Sequence, residues 1–344
     1  MTETTSGTRT TFELAPETLR AYLAEEGLVR DARRLRIRPL GGGVSNVVLL
    51  IESQEARWVA KQALEKLRVQ EDWRSDRGRV FREAEAIRRL EPKLGKGHLP
   101  KIVHIAAAQS FFIMTAAPAD AVVWKASLLE GRVEMAVARE AGLLLSRMIR
   151  ISRADPNFKK RFEDRTVFEQ LRVDPYYRTT ALRHPDVSEA LSELIEASWR
   201  VREALVHADY SPKNMLVREG QIFLIDFECV HWGDPAFDAG FLLNHLVLKA
   251  FHQPRWMGDY LAAARQFWAT LAAGLRALNL PSFERRTLRH LGGLMLARID
   301  GKSPVEYLRD DATRNRVRRA AKRILNERPE TLEEALGIVR REIA

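Results

Sequence analysis

The chain has almost no cysteine and no long apolar run. Cys229 is the only cysteine among 344 residues, which excludes an internal disulfide and a CxxC metal site. The most apolar stretch, residues 102–117, is interrupted by His104, Gln109 and Ser110 and falls short of the ~18 apolar residues of a membrane helix. The first 17 residues contain no apolar signal-peptide core. These absences indicate a reduced, cytoplasmic protein with no membrane partner.

The composition is that of a folded protein with an excess of positive charge. Apolar residues make up 46% and charged residues 30% of the chain, which is typical of globular proteins long enough for two lobes. Lys and Arg number 56 against 46 Asp and Glu. Residues 309–328 hold eight of these cations and three acids. A solvated amphipathic helix accounts for this segment, and an anion-binding patch is the alternative.

Hydrophobic periodicity predicts an α+β fold with two lobes. The Ser/Thr-rich residues 1–11 are predicted to be a disordered tail, followed by an N-terminal lobe over 12–117 and a helical C-terminal lobe over 118–344. The predicted strands of the first lobe are 35–40, 44–52, 58–62, 101–107 and 110–114, around a helix at 76–91. In the second lobe the predicted helices include 129–151, 159–172, 187–204, 256–278 and 283–299, and the only predicted strands are 215–218 and 221–225. We expect a ligand cleft between the lobes.

The densest group of functional side chains lies in residues 204–240. Asp209 is followed five residues later by Asn214, and Asp226 comes at the end of an apolar strand. Because the two strands around residues 219–220 form a hairpin, Asn214 and Asp226 are expected at the same end of it. Phosphoryl transfer needs a carboxylate near the acceptor hydroxyl and oxygen ligands for Mg²⁺. We therefore predict Asp209 as the catalytic residue and Asn214 and Asp226 as metal ligands.

A second pair of charged residues is expected in the N-terminal half. Lys61 ends an apolar strand, and Glu83 falls within the apolar face of the helix that begins near residue 76. A carboxylate on a buried face needs a cation, because burying it unpaired is costly. Lys61 is the predicted partner, and local pairing of Glu83 with Arg79 or Arg82 is the alternative.

The order of these motifs resembles the protein-kinase-like fold, and within it the aminoglycoside phosphotransferase group of small-molecule kinases. The group's H-G-D-x-x-x-x-N reads HADYSPKN here, a small-for-small change at Ala208, and its I-D-[FW]-E and G-D-P-x-x-D read IDFE and GDPAFD. Only the four residues 229–232 separate the last two motifs, which leaves no room for the activation segment of a protein kinase. The resemblance implies ATP and Mg²⁺ as cofactors and a small hydroxylated molecule as the acceptor.

The resemblance also assigns roles to residues outside the central motif. A glycine-rich turn would cover the nucleotide phosphates and a strand end would bond adenine; the residues concerned are Gly42, Gly43, Ser45 and Asn46 in the turn, and Met114, Thr115 and Ala117 at the strand end. Met114 is equally consistent with plain core. His207 and Asp238 would support the catalytic loop, with Asp238 accepting its backbone N–H bonds. Glu228 is either a ligand of a second Mg²⁺ or a structural residue.

Residues 61–64 and 123–131 are similar to methylthioribose kinase, a branch of the same fold that phosphorylates a sugar hydroxyl. That family has Ser where Asn214 stands, and its substrate-binding arginine pair does not align clearly with residues 285–286 or 289–290. The similarity implies a sugar-like acceptor without identifying it.

The acceptor site is expected in residues 155–186, with Arg172, Tyr176, Tyr177 and Arg178 as its polar and aromatic candidates. Aminoglycosides are polycations that favour acidic pockets, whereas the helical lobe is net basic. A neutral or anionic metabolite is therefore favoured over an aminoglycoside. A non-catalytic nucleotide sensor and a nucleic-acid-binding protein are the alternatives; the complete Lys, Glu, Asp and Asn set argues against the sensor, and we expect no nucleic-acid partner.

Overall fold

The computed structural model describes residues 12–41, 45–68 and 73–344, which form two compact units. The first unit is Met1–Ala84 with Lys101–Ala116, and the second is Glu85–Pro100 with Ala117–Ala344. The predicted disordered tail at 1–11 lies outside the described residues, and so do Gly42 and Gly43 of the glycine-rich turn.

The first unit is an antiparallel sheet with the strand order β1-β2-β3-β5-β4. Its strands are β1 (Arg36–Pro39), β2 (Asn46–Glu52), β3 (Arg57–Ala63), β4 (Ile102–Ala106) and β5 (Phe111–Thr115), and its helices are α1 (Pro16–Glu25) and the start of α2 (Arg79–Leu94). Leu19 and Leu23 of α1 are buried in one core with Ile51 and Phe111 of the sheet. The central strand β3 carries Lys61, opposite Phe112 of β5.

The second unit is mainly helical, as predicted. After the end of α2, its helices are α3 (Trp124–Leu129), α4 (Met135–Ala154), α5 (Pro156–Phe162), α6 (Thr166–Phe168), a π-helix (Glu169–Arg178), α7 (Thr179–Arg183), α8 (Ser188–Arg200), α9 (Ala236–His252), α10 (Met257–Leu275), α11 (Phe283–Asp300), α12 (Asp311–Glu327) and α13 (Leu332–Ile343). Short 3₁₀ turns occur at Ala32–Arg34 in the first unit and at Pro185–Val187, Pro212–Asn214 and Pro254–Trp256 in the second. No helix among the described residues is both long and apolar enough to cross a membrane.

Five short strands complete the second unit. They are β6 (Val122–Val123), β7 (Ala204–Val206), β8 (Met215–Arg218), β9 (Gln221–Leu224) and β10 (His231–Gly233), paired as β6-β8-β9 and as β7-β10. The prediction of only two strands was wrong, because segments of two or three residues are too short to show an alternating pattern. The prediction of one continuous helix over 159–172 was also wrong. Helix α5 ends at Phe162, and a π-helix begins at Glu169.

The helices α9, α10 and α11 pack together in the core of the second unit. Helix α9 is buried along nearly its whole length, from Ala236 to Phe251. Gly142 of α4 lets that helix approach α10 so closely that an added Cβ would lie 2.6 Å from the carbonyl oxygen of Phe267. Close packing of this kind holds the C-terminal helices as a rigid support.

The basic segment 309–328 forms helix α12, and six of its eight cations pair with acids from neighbouring elements. Asp300 pairs with Arg318 at 2.7 Å, and Glu342 pairs with Arg319 at 2.8 Å. Further pairs join Arg314 to Asp300, Lys322 to Asp186, Arg323 to Glu342 and Arg328 to Glu193. The apolar side of α12 is buried. This pattern favours a structural helix over an anion-binding patch.

Candidate active site

A hairpin places the two predicted metal ligands at one end. Strands β8 and β9 pair through a turn in which Glu219 and Gly220 have φ of 50° and 78°, the conformation typical of a tight hairpin turn. Beyond the strands, the N–H of Ile225 donates to the carbonyl oxygen of Asn214 at 3.0 Å. Asn214 and Asp226 therefore stand at the open end of the hairpin, as its register requires.

The side chains at this end offer oxygen atoms. Asn214 donates its Nδ2 to the carbonyl oxygen of Asp209 at 2.9 Å, and its Oδ1 accepts no hydrogen bond from the described residues. Asp226 is partly exposed and adopts a left-handed conformation with φ of 73°. Glu228 lies two residues further and is 5% exposed. An amide oxygen and a carboxylate fit Mg²⁺, which uses few protein ligands and completes its shell with water and phosphate.

Asp238 holds the loop that precedes the hairpin. Its carboxylate accepts the N–H of His207 at 2.7 Å and the N–H of Ala208 at 2.8 Å, which is the contact that the resemblance implies. Burial raises the pKa of Asp238 to about 7, although the two N–H bonds oppose this shift. The N-terminal end of α9 thereby fixes the backbone on which Asp209 is mounted.

His207 links the loop to the hairpin. Its Nε2 lies 3.1 Å from the carbonyl oxygen of Ile225, and its Nδ1 accepts the N–H of Asp209 at 3.2 Å. Only the neutral imidazole with its proton on Nε2 makes both bonds. Burial lowers the pKa of His207 to about 4, so the ring stays neutral at physiological pH.

Ala208 has a left-handed backbone with φ of 61°. This conformation explains why glycine is usual at the second position of the H-G-D motif, since it costs an L-residue roughly 1–2 kcal/mol. The substitution of alanine for glycine is therefore small in volume but strained in conformation. The two bonds that Asp238 receives hold the loop in this shape.

Asp209 is buried between two cations. Its Oδ2 lies 3.0 Å from Nη2 of Arg172 and 2.9 Å from Nζ of Lys213. Although burial opposes ionisation, Lys213 and Arg172 hold the pKa of Asp209 well below its usual range. The carboxylate is therefore an ionised hydrogen-bond acceptor whose position is fixed.

Lys213 is a residue that the sequence analysis missed. It stands four residues after Asp209 within the HADYSPKN motif, and its side chain is half exposed. Its position directly before Asn214 is the signal that could have indicated a role. In the structure it carries a positive charge beside the carboxylate of Asp209.

Of the four predicted acceptor residues, two lie near Asp209. Arg172, from the π-helix, pairs with Asp209 and also donates Nε to the carbonyl oxygen of Ala208. The guanidinium of Arg172 lies 5.5 Å from the ring centre of Tyr176. Tyr177 is instead fully buried with its hydroxyl 2.8 Å from Nδ1 of His290, and Arg178 pairs with Glu169 at 2.8 Å on the surface. Their contacts direct Tyr177 and Arg178 away from the carboxylate of Asp209.

Lys61 and Glu83 form a buried ion pair in the first unit. Nζ of Lys61 lies 2.6 Å from Oε2 of Glu83, and their side chains are 6% and 0% exposed. Glu83 lies on the inner face of α2, where helical periodicity places it. Arg79, the alternative partner, donates to backbone carbonyl oxygens, including that of Ser45 at 2.6 Å and that of Leu64 at 2.7 Å.

The other residues that were predicted to bind the nucleotide lie in or beside strands β2 and β5. Ser45 accepts the Nδ2 of Asn46 at 2.9 Å, and Asn46 begins β2. Met114 is 6% exposed within β5. Thr115 exchanges backbone and side-chain bonds with Lys101, both at 2.9 Å. Ala117 lies two residues after Thr115 and is partly buried.

Comparison with known proteins identifies the family. The sequence profile of the phosphotransferase enzyme family matches residues 36–280, which contain every candidate catalytic and metal residue described above. The chain belongs to the phosphotransferase enzyme family. This assignment confirms the resemblance to a phosphotransferase family that the HADYSPKN, IDFE and GDPAFD motifs indicated.

Two curated relatives of this chain are named methylthioribose kinase. One is methylthioribose kinase 2 of Oryza sativa subsp. japonica, 25% identical over 249 residues that cover 64% of this chain and 58% of the relative. The other is methylthioribose kinase of Exiguobacterium sibiricum, 24% identical over 266 residues that cover 70% of this chain and 68% of the relative. The phosphotransferase thus spans less than two thirds of the rice enzyme.

A solved structure confirms the predicted protein-kinase-like fold. The choline/ethanolamine kinase family protein from Mesorhizobium loti superposes with a TM-score of 0.53 at 17% identity. The match covers 94% of this chain and 99% of the other. At this identity the likeness shows the fold of the phosphotransferase.

Proposed function

We propose that this phosphotransferase is a cytoplasmic, ATP-dependent small-molecule kinase whose acceptor is a sugar-like or otherwise hydroxylated metabolite. The observation that carries the proposal is the fixed carboxylate of Asp209 on a loop that leads into a hairpin ending in the oxygens of Asn214 and Asp226. Phosphoryl transfer depends on positioning and on charge stabilisation, which this arrangement supplies. The names of the two methylthioribose kinases support a sugar hydroxyl as the acceptor.

In the proposed reaction the acceptor oxygen forms a bond to the γ-phosphorus of ATP while the bond to the β–γ bridging oxygen breaks and ADP leaves. Asp209 accepts a hydrogen bond from the acceptor hydroxyl, orients it and receives its proton. The low pKa of Asp209 suits a loose transition state, in which the proton leaves the hydroxyl late.

The other residues hold the nucleotide and its charge. Lys61, fixed by Glu83, binds the α- and β-phosphates. Asn214 and Asp226 supply the oxygens that would hold Mg²⁺, whose charge offsets that of the phosphates. Lys213 adds a positive charge beside Asp209, where negative charge develops on the transferring group. Glu228 either binds a second cation or positions the loop after β9.

An aminoglycoside acceptor is the weaker candidate, and a nucleotide sensor without catalysis is the rival of another class. Lys213 and Arg172 surround Asp209 with positive charge, which repels a polycation. A sensor only has to bind the nucleotide. The chain instead has the complete set of Lys61, Glu83, Asp209, Asn214 and Asp226, which argues against a sensor.

The test is ATP consumption in the presence of Mg²⁺ with a panel of acceptors. The panel holds methylthioribose, other pentoses, amino alcohols, homoserine and aminoglycosides, and Asp209→Asn is the blank. We expect one acceptor to stimulate consumption in the wild type and not in the variant. Stabilisation by ATP and Mg²⁺ without stimulation by any acceptor would favour the sensor, and no nucleotide binding would overturn the proposal.

A further inference from the structure

Helix α9 carries a fully buried lysine that pairs with no acid in the described part of the chain. Lys249 is 0% exposed, and its Nζ donates to the carbonyl oxygen of His245 at 3.2 Å and lies 5.3 Å from the ring centre of Tyr307. Among the described residues it forms no ion pair. Burial, with Lys125 nearby, lowers the pKa of Lys249 to about 7. A buried amine without a counterion is costly and needs an explanation.

Helix α11 contributes a second unmatched cation. Arg298 donates Nη1 to the carbonyl oxygen and the hydroxyl of Ser303 and to the hydroxyl of Tyr176. Its Nε is buried without a partner, its Nη2 makes no hydrogen bond within the described chain, and no carboxylate lies within ion-pair distance. The guanidinium therefore retains N–H donors that no described residue accepts.

His245 lies close to both cations: its carbonyl oxygen accepts the bond from Lys249, and the charges of Lys249 and Arg298 both act on its ring. Its ring is 7% exposed and lies 5.3 Å from that of Phe241, and neither ring nitrogen bonds to a described residue. Burial, with the positive charges of Lys249 and Arg298, holds the pKa of His245 well below its usual range. We call His245, Lys249 and Arg298 the cation cluster.

The cation cluster is connected to Asp209 through Tyr176 and Arg172. The ring of Tyr176 lies 5.7 Å from the guanidinium of Arg298 on one side and 5.5 Å from that of Arg172 on the other. Arg172 in turn pairs with Asp209. Two side chains, Tyr176 and Arg172, therefore lie between the cluster and the candidate catalytic carboxylate.

The acids near the cluster are already matched by other cations. Glu306 pairs with Lys125, and Asp209 pairs with Arg172 and Lys213. Among the described residues, Lys249 and Arg298 are therefore left without an acidic partner. Such a site favours an anion and repels a cation.

We infer that the acceptor of this kinase carries an anionic group, a carboxylate or a phosphate, that binds Arg298 and His245. Lys249 supplies a second positive charge from behind the site, and the acceptor hydroxyl lies at Asp209. The inference rests on the proposed kinase function only in naming the anion as part of the acceptor. A bound anion accepts a hydrogen bond from Nη2 of Arg298 and offsets the charge of Lys249. This explains why the protein has two such cations at this place.

The first test measures anion binding at the cation cluster and does not depend on catalysis. The ring signals of His245, assigned with His245→Asn, are followed by NMR while sodium sulfate or sodium acetate is added against sodium chloride of equal ionic strength. We expect a saturable shift with one of the two anions. Sulfate indicates a phosphate group on the acceptor, and acetate indicates a carboxylate.

Variants of two arginines on α11 provide the control. Arg298→Gln should weaken the anion response at least about 10-fold, the loss expected for a charge-assisted bond, and Arg298→Lys should restore part of it. Arg285→Gln removes an exposed charge that pairs with Glu330 and should leave the response unchanged. No response in the wild type, or equal responses in Arg298→Gln and the wild type, would overturn the inference.

The second test separates the inference from the proposed function. Ribonate, ribitol and 1-amino-1-deoxyribitol share a carbon skeleton and differ in charge, so their kcat/KM values with ATP isolate the effect of the anion. We expect the anionic acceptor to be favoured, with Arg298→Gln raising KM more than it lowers kcat. Preference for the neutral or cationic acceptor would overturn the inference and leave the kinase function standing. An Arg298-dependent sulfate or acetate response without any phosphoryl transfer would support the anion site and count against the kinase function.

Discussion

Asp209 shows how much of the chemistry depends on the immediate neighbours of one residue. A free aspartate beside a substrate would sample several orientations, whereas this one is fixed by Arg172 and Lys213 through Oδ2 and by the loop that Asp238 anchors. The two cations keep it ionised and lower its basicity. Its main contribution is therefore to orient the acceptor. Phosphoryl transfer depends more on this positioning than on the strength of the base.

The buried pair of Lys61 and Glu83 yields a stability prediction. Lys61→Met leaves the carboxylate of Glu83 buried without its cation and should lower the free energy of unfolding by about 3–5 kcal/mol. The double variant Lys61→Met/Glu83→Leu should recover most of this loss, because apolar side chains replace both charges. Chemical denaturation measures both.

The surface pair of Arg89 and Glu85 on the same helix is the control for this prediction. These side chains are 25% and 33% exposed, so Arg89→Met should cost under about 0.5 kcal/mol. A double variant of Lys61 and Glu83 that is no more stable than Lys61→Met alone would contradict the buried-pair account.

His207 yields a pH prediction. Its folded pKa of about 4 lies below the unfolded value near 6.5, so the unfolded state binds the proton first as pH falls. The contribution of His207 to stability is full above pH 6.5 and is lost as pH falls toward 4, with a slope of up to about 1.4 kcal/mol per pH unit. An NMR titration of the ring should give a midpoint near 4, and a midpoint near 6.5 would be incompatible with the neutral tautomer.

At the scale of elements, the candidate active site is a short strand, a loop and a hairpin supported by helices. The hairpin and the strand that carries Lys61 were predictable, because each is an apolar run with a turn or motif beside it. Strands β7 and β10 were not, since three residues show no period. Lys213 could have been found from its place in the motif. The cation cluster could not, because His245, Lys249 and Arg298 meet only through the packing of α9 and α11.

The close approach of α4 and α10 can be tested at Gly142. Gly142→Ala places a Cβ 2.6 Å from the carbonyl oxygen of Phe267, and we expect a loss of about 1–3 kcal/mol in the free energy of unfolding. Gly337→Ala on α13 is the matched control, because its nearest contact is 3.5 Å away on the flexible side chain of Arg341. Helix propensity predicts that the control gains up to about 1 kcal/mol. Equal effects of the two changes on the denaturation midpoint would refute the packing argument.

At the scale of the whole molecule, a net charge of +10 does not describe a uniformly basic surface. Most of the cations in the basic segment 309–328 form ion pairs with Asp300, Glu342, Asp186 and Glu193. The unmatched positive charge lies in the core of the second unit, near Asp209. Charge is thus used in two ways, as a structural network on the outside and as an electrostatic environment at the candidate site.

This distribution predicts weak nucleic-acid binding despite the basic composition. We expect retention on DNA or RNA to fall with salt at a log–log slope shallower than about −2, because few cations are free to neutralise phosphates. The variant Arg318→Gln/Arg323→Gln should lower the melting temperature and leave this slope unchanged. A slope of about −6 or steeper in the wild type would assign the basic segment a binding role instead.

The central claim is that Asp209 carries the phosphoryl transfer. The most direct measurement compares wild type, Asp209→Asn and the exposed control Asp259→Asn on the acceptor that gives the highest turnover with ATP and Mg²⁺, with nucleotide affinity measured on the same samples. We predict that Asp209→Asn lowers kcat at least about 10²-fold and keeps the nucleotide affinity within about threefold, while Asp259→Asn matches the wild type. Near-normal turnover by Asp209→Asn would contradict the account.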